Sequence, residues 1–430
     1  MFRDYLRRLR ENRFLIHVLT LVSGTALAQA ILFAFTPLLT RLFDPSDFGV
    51  FALYTAIVST LGVVAAWKYE LAIMLPAREE DARGLVWLST YATLITAAVV
   101  FVLSLVLKEP LTRWFGPELG QIIFIIPVGI AFSSLFQILL TYSSRKKEFA
   151  RVSVARVAQA GSAVGLQSAI GITRSFPLGL VWGKLAADLI ASVSLAWRYF
   201  RLGLLPGPRI RSSVLKSLAR EYYQFPRFQS LAAFMNSLSQ NLPAILLTFY
   251  YDPAVAGLYA LTARVLSAPT QLIGKSTREV YYQRASERYA SGQPILSLFR
   301  NTIGGLAKVG VLPFLVLIFI TPWLFSWLFG AEWEMSGRYA QLIIPWSFLG
   351  FINAPATMSL YVLGLQRFSM RYESAMFTAR FLSLWLSWYF LRDPYLSVAC
   401  FAGVGVLFNV YLISYAYRKV SRDAARRGSS

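Results

Sequence analysis

Leu38 to Leu53 reads LLTRLFDPSDFGVFAL, and Leu246 to Leu261 reads LLTFYYDPAVAGLYAL. The two stretches lie 208 positions apart and share Leu-Leu-Thr, Asp-Pro, Gly and Ala-Leu in register, eight identities in sixteen. Each copy closes one apolar segment, turns at Asp44-Pro45 or Asp252-Pro253, and opens the next, because proline suits the first turn of a new helix and not the interior of an old one. A spacing close to half of the 430 residues predicts a chain made by duplication.

Composition sets the class. Hydrophobic residues make up 56% and charged residues 15%, with a mean hydropathy of +0.53, which is too apolar for a soluble core with a solvated surface. The reading is an all-α integral membrane protein. Cys400 is the only cysteine and His17 the only histidine, which excludes internal disulfides, multi-thiolate metal sites and a histidine-based triad or zinc site. No GxxxxGK[ST] loop is present, so an intrinsic ATPase is not expected, and neither is a bound cofactor or metal.

The basic, amphipathic start MFRDYLRRLRENR precedes an apolar run in which Ala28-Gln29-Ala30 imitates a signal-peptidase site. The run continues through Leu39 into the duplicated turn, so it reads as a retained first span. At about 20 residues per bilayer crossing, spans are expected near 14–40, 46–75, 82–107, 118–141, 151–171 and 177–197, and again near 228–250, 254–277, 302–328, 339–364, 369–391 and 395–417. This predicts twelve transmembrane helices in two six-helix lobes, residues 1–200 and 228–430, the second ending in a basic cytoplasmic tail. An even number per half keeps both halves in one orientation, a parallel repeat about an axis along the membrane normal.

Between the lobes lies a cytoplasmic connector, 201–227. There Ile210, Val214, Leu215, Leu218 and Tyr222 share one helical face, as in a helix lying in the membrane interface.

The formal charge is +21, from 42 Lys and Arg against 21 Asp and Glu. With the N-terminus inside, 32 of the 42 fall on cytoplasmic segments and the span ends adjoining them, six on external turns (Arg41, Lys108, Arg113, Arg174, Arg338, Arg392), and the remaining four are assigned to the spans themselves. This is the positive-inside asymmetry, so the charge anchors the protein against anionic lipid and does not predict nucleic-acid binding.

External turns are short, at most about ten residues on this span assignment. They leave no room for the substrate cleft of a membrane glycosyltransferase or polymerase. Asp44 and Asp47 imitate an acidic pair, but the second copy keeps Asp252 and replaces Asp47 by Val255. They read as turn and cap, with Ser46 or Asp47 capping the second helix.

What remains for chemistry is charge inside the bilayer. A cation at mid-span costs at least about 2.5 to 3.5 kcal/mol and so faces a partner or a wet cavity. Arg264 and Arg380 lie near mid-span and are the leading candidates for an anion-facing lumen. Lys184 has Asp188 one turn on, a self-satisfying pair as much as a ligand site. Lys308 is near a cytoplasmic end, where it can snorkel. Asp188, Glu70 and Glu373 are candidates for coupling to H+ or Na+, or for salt bridges to the two arginines. On the seventh span Asn236, Gln240 and Asn241 form a polar stripe, with Pro243 just beyond to loosen the backbone ladder. Three of the four span cations have no charged counterpart in the other half: Ala56, Val100 and Ile172 stand 208 positions before Arg264, Lys308 and Arg380.

TRLFDPSDFGVFALYTAIVST followed by WKYELAIMLPAREEDA resembles the amino-terminal signature of bacterial polysaccharide exporters of the O-antigen flippase type. These belong to the superfamily that also holds multidrug and toxin extruders. The resemblance implies two six-helix lobes in a V and a central cavity lined with basic residues. It also implies alternating access that moves an undecaprenyl-pyrophosphate-linked oligosaccharide, an O-antigen or exopolysaccharide repeat unit, outward across the bacterial inner membrane. Polymerase and chain-length proteins of the same pathway are the implied partners.

A polar head cannot cross hydrocarbon unaided, while the lipid tail never needs to leave it. An inside-negative potential of about 100 mV favours outward movement of a head with about two negative charges by roughly 4.6 kcal/mol, at about 2.3 kcal/mol per charge. Rival readings are a multidrug cation extruder, which needs acidic rather than basic lumen charges, a lipid II flippase, usually of fourteen spans, and an integral-membrane polymerase.

Overall fold

The computed structural model describes residues 13–173, 178–201 and 212–428. Among them the regular elements are all helical. In the first part of the chain they are α1 (Arg13–Ala34), α2 (Thr36–Leu42), α3 (Pro45–Ala65), α4 (Tyr69–Ala72), α5 (Glu79–Phe115), α6 (Pro117–Ile122), α7 (Ile125–Arg145), α8 (Phe149–Thr173), α9 (Gly179–Arg201), α10 (Ser212–Glu221) and α11 (Ser230–Tyr250). There follow α12 (Pro253–Ala290), α13 (Leu296–Phe329), α14 (Glu334–Ile352), α15 (Ala354–Val362), α16 (Gln366–Phe390) and α17 (Pro394–Gly428). A single π turn, Phe225–Gln229, leads into α11.

Among the described residues, eight stretches are long and apolar enough to cross a membrane. The most exposed of them faces outward in a way no soluble protein tolerates: in α13 only 6% of the apolar window is buried, and Val309, Leu312, Phe319, Trp323 and Trp327 lie on its surface. Helices satisfy their own backbone groups, which is what hydrocarbon demands. Four further long helices, α8, α11, α12 and α16, stand outside that set of eight.

Where they are described, the expected spans fall on helices, with corrections at their ends and in their interiors, the fourth being broken at Ile123 and Phe124. The first breaks at Phe35, where Pro37 starts a separate short helix. The second ends at Ala65, ten residues before the expected boundary. Trp67 and Lys68 adopt left-handed backbone at φ 52° and 61°, and α4 starts afresh after them. Thr96 anchors this turn by donating to the Ala65 carbonyl at 3.1 Å and accepting from the Trp67 indole at 3.2 Å. The tenth span is interrupted at Asn353, ahead of Pro355.

The duplicated turn is built alike in both copies. Asp44 caps α3 by accepting from the Asp47 amide at 2.9 Å, and Asp252 accepts from the Val255 amide at the same distance. The cap is therefore Asp44, not Ser46 or Asp47. Asp47 completes the capping box by accepting from the Asp44 amide at 3.4 Å. Just inside the helices, Gly49 and Gly257 pack against the opposite turn: a Cβ on Gly49 would overlap the Pro253 carbonyl, and one on Gly257 would overlap that of Pro45.

Contacts divide the chain into two units, Met1–Gly257 and Leu258–Ser430. In the first, α3, α7 and α9 enclose an apolar core of Leu53, Val58, Ile126, Ile130 and Val181. A second core is built around Tyr69, Leu85, Leu139 and Tyr142. Helix α11 belongs by contact to this unit, packing along α3, although its sequence opens the second half of the repeat. The connector's amphipathic pattern is realised in α10, but its apolar face is turned onto protein. Leu218 is buried in the second core and fills the space left by Gly84 on α5. Ile210 lies outside the described residues. In the second unit Tyr281, Phe299, Leu360, Leu412 and Val420 form the core.

Candidate functional site

In the first unit, three predicted residues come together. Lys184 and Asp188 pair one helical turn apart on α9, with the ammonium 2.6 Å from Oδ2. The Asp188 side chain is only 2% exposed, and Gln159 of α8 donates to it at 2.6 Å. Across from them Glu70, on α4, pairs with Lys68 at 3.3 Å. Both pairs line one cavity of about 400 Å³ bounded by α3, α7 and α9. Tyr54, Ser59, Ser133 and Gln137 complete much of its wall.

Glu70 and Asp188 thus each hold a lysine, and neither serves as a salt-bridge partner of Arg380. The Lys68 and Glu70 pairing was hidden from sequence because residues two apart on a helix do not face each other. They meet only because the chain turns left-handed at Lys68.

On α11 the predicted polar stripe divides. Asn241 is fixed to the first unit, its amide donating to Ser59 Oγ at 2.9 Å and Thr60 Oγ1 at 3.1 Å. Asn236 and Gln240 stay exposed and bond to each other at 2.6 Å. Pro243 stands inside the helix, so the Ser239 carbonyl has no amide to receive one turn on.

In the second unit, Arg380 is 8% exposed within α16. Its guanidinium carbon lies 4.8 Å from the Trp346 ring centroid and 5.4 Å from that of Phe401. These two rings meet edge to face at 5.5 Å. Among the described residues Arg380 has no salt bridge, and its Nε has no hydrogen-bond partner. Glu373, seven residues earlier on the same helix, is exposed and makes no ion pair with it.

Trp346 fits where it does because α17 has Gly405 there: a Cβ would come within 2.7 Å of the indole. An aromatic cage holds a cation by quadrupole attraction without neutralising it. The arginine therefore keeps its full charge for an anion. Arg264 is partly buried on α12, and Lys308 is exposed on α13, as a snorkelling lysine is. The cage residues Trp346, Phe401 and Gly405 escaped sequence reading, since three helices distant in sequence supply the cage and its arginine.

The polysaccharide biosynthesis protein family matches residues 38–337, well over half of the chain. The chain belongs to that family. Over 313 residues it is 21% identical to the succinoglycan biosynthesis transport protein ExoT of Rhizobium meliloti (strain 1021), covering 69% of this chain and 60% of that protein. This chain therefore spans under two thirds of that relative's length.

Its fold is shared with the lipid II flippase MurJ in an inward closed conformation, at a TM-score of 0.65 and 11% identity over 92% of this chain and 90% of MurJ. An inward-facing multidrug resistance MATE transporter of the MOP superfamily matches at 0.60 and 14% identity, over 94% and 95% of the two chains. The polysaccharide biosynthesis family member is a multi-pass integral membrane protein whose fold is the one shared by these two solved structures.

Proposed function

We propose that this family member is a flippase. It moves an undecaprenyl-pyrophosphate-linked oligosaccharide, an O-antigen or exopolysaccharide repeat unit, from the cytoplasmic to the external face of the bacterial inner membrane by alternating access. In this reading twelve helices cross the bilayer, six from each half of the repeat, and both termini are cytoplasmic.

The observation that carries the proposal is Arg380: a buried guanidinium caged by aromatic rings, with no carboxylate in salt-bridge contact among the described residues, the nearest acidic influence being Glu373 two turns back on the same helix. Such a group is costly in a membrane protein unless an anion uses it. A pyrophosphate head is that anion. A multidrug cation would be repelled at the same place.

The helices outside the strongly apolar set support the reading. Asn236, Gln240 and Asn241 lie on α11, Arg264 on α12, and Glu373 and Arg380 on α16. A helix that lines a wet passage carries such residues, while one surrounded by lipid does not. Arg264 is the second cation proposed to meet the head, since Lys184 is held by Asp188 and Lys308 is exposed on α13. The inside-negative potential drives the anion outward, and coupling to H+ or Na+ through Asp188, Glu70 or Glu373 is the alternative energy source.

Sidedness of the glycolipid in a deletion strain tests this. A flippase leaves the completed lipid-linked unit on the cytoplasmic face, while loss of a polymerase leaves unpolymerised units on the outer face.

A further inference from the structure

The cavity in the first unit is not accounted for by an anion passage. Its charged groups are two lysines and two carboxylates, and each cation is already matched by the carboxylate beside it, Lys68 to Glu70 and Lys184 to Asp188. The site is neutral as a whole. An added anion would meet Glu70 and Asp188, and an added cation would meet Lys68 and Lys184.

The cavity nevertheless keeps unused hydrogen-bonding capacity. The Tyr54 hydroxyl and Glu70 Oε2, both on residues more than nine-tenths buried, have no hydrogen-bond partner among the described residues. A buried polar atom left unpaired costs about 1 to 3 kcal/mol, so a ligand whose entry shifts the wall enough to reach either atom recovers that cost. Ser133 and Gln137 add a hydroxyl and an amide to the same wall.

We infer that this cavity is a saccharide subsite, which takes an uncharged sugar of the lipid-linked oligosaccharide while the pyrophosphate is held elsewhere. The inference rests on the flippase reading. A sugar ring carries hydroxyls that donate and accept at once, which is the chemistry that fixed ammonium, carboxylate, hydroxyl and amide groups recognise together. Hydrogen bonds from neutral hydroxyls to charged partners are among the stronger ones. A volume of about 400 Å³ lies within the range of small-molecule sites. The subsite borders the α11 stripe directly, since Ser59 both lines the cavity and accepts from Asn241. This arrangement places sugar recognition in the first unit and charge recognition, through Arg380, in the second.

The test uses the full chain in lipid nanodiscs and two probes: undecaprenyl pyrophosphate alone, and the glycolipid extracted from a strain lacking this protein. Wild type is expected to bind the glycolipid at least tenfold more tightly. Ser133→Leu, which fills the cavity, should bring the glycolipid to within twofold of the bare lipid. Gln137→Leu, which removes the amide from the wall at nearly constant volume, should narrow the ratio in the same direction and is used should the first variant fail to fold. Arg380→Ala should weaken both probes and leave their ratio standing.

The inference is overturned if wild type binds the two probes equally, or if the ratio survives in folded cavity variants. It is also overturned if those variants lose a Na+-dependent melting shift with the ratio intact, which would assign the cavity to a cation. If the ratio behaves as expected but Arg380→Ala changes neither affinity, the flippase reading's anion site fails and the sugar subsite stands.

Discussion

Gly257 sits so close to Gly49 that a Cβ on it would lie 2.7 Å from the Gly49 amide nitrogen. The two glycines occupy the same register position in the two copies of the repeat, 208 residues apart. The duplicated turns therefore pack on one another as a reciprocal pair, each glycine receiving the proline carbonyl of the other copy.

Alanine at either position should lower stability by about 1 to 3 kcal/mol, the usual cost of overpacking, despite alanine's better helix propensity. The double variant should cost less than the sum, because one displacement serves both side chains. Thermal unfolding of the four proteins in detergent measures this. Additive losses would mean that the glycines do not share a contact.

Asp44→Ala and Asp252→Ala should each cost about 1 kcal/mol, as loss of a helix N-cap does. Asp47→Ala should cost less, since its return bond is the longer one at 3.4 Å. All three should retain transport in a complementation assay. Loss of transport in a folded Asp47→Ala protein would restore the catalytic reading of this acidic pair.

Lys184→Met leaves Asp188 charged in a pocket where its side chain is 2% exposed, with Gln159 alone to stabilise it. Breaking such a pair should cost about 3 to 5 kcal/mol. Lys184→Met with Asp188→Asn should recover most of that loss, which a double-mutant cycle in thermal unfolding reads directly.

Gly405→Ala should push Trp346 out of its place and so disturb the cage around Arg380. Binding of undecaprenyl pyrophosphate should weaken by roughly tenfold, about 1.4 kcal/mol. Arg380→Lys should weaken it similarly, because a lysine cannot stack its charge on two rings while presenting a fork of donors. An unaltered affinity in both would separate the cage from the anion.

Local chemistry was legible in the sequence, and contacts between distant segments were not. The Asp-Pro turns could be read because a cap and its proline act within four residues. Lys184 and Asp188 could be read because their spacing is one helical turn. The break at Phe35 had a visible signal in Pro37 that the length of the apolar run overrode, and Pro355 gave the same warning at Asn353.

The left-handed turn at Trp67 and Lys68 had no glycine to mark it, and it depends on Thr96 from another helix. The Glu70 and Lys68 pair followed from that turn and stayed hidden with it. The aromatic cage of Arg380 is assembled from α14, α16 and α17, so nothing near Arg380 in the chain announced it.

The most direct test of the central claim is translocation of the extracted glycolipid by the purified protein in liposomes, read as accessibility of its sugar to an enzyme added outside. With an imposed potential, wild type should move the glycolipid at least tenfold faster than protein-free liposomes, and Arg380→Ala should fall to the protein-free rate. Equal rates with and without the wild-type protein would contradict the account.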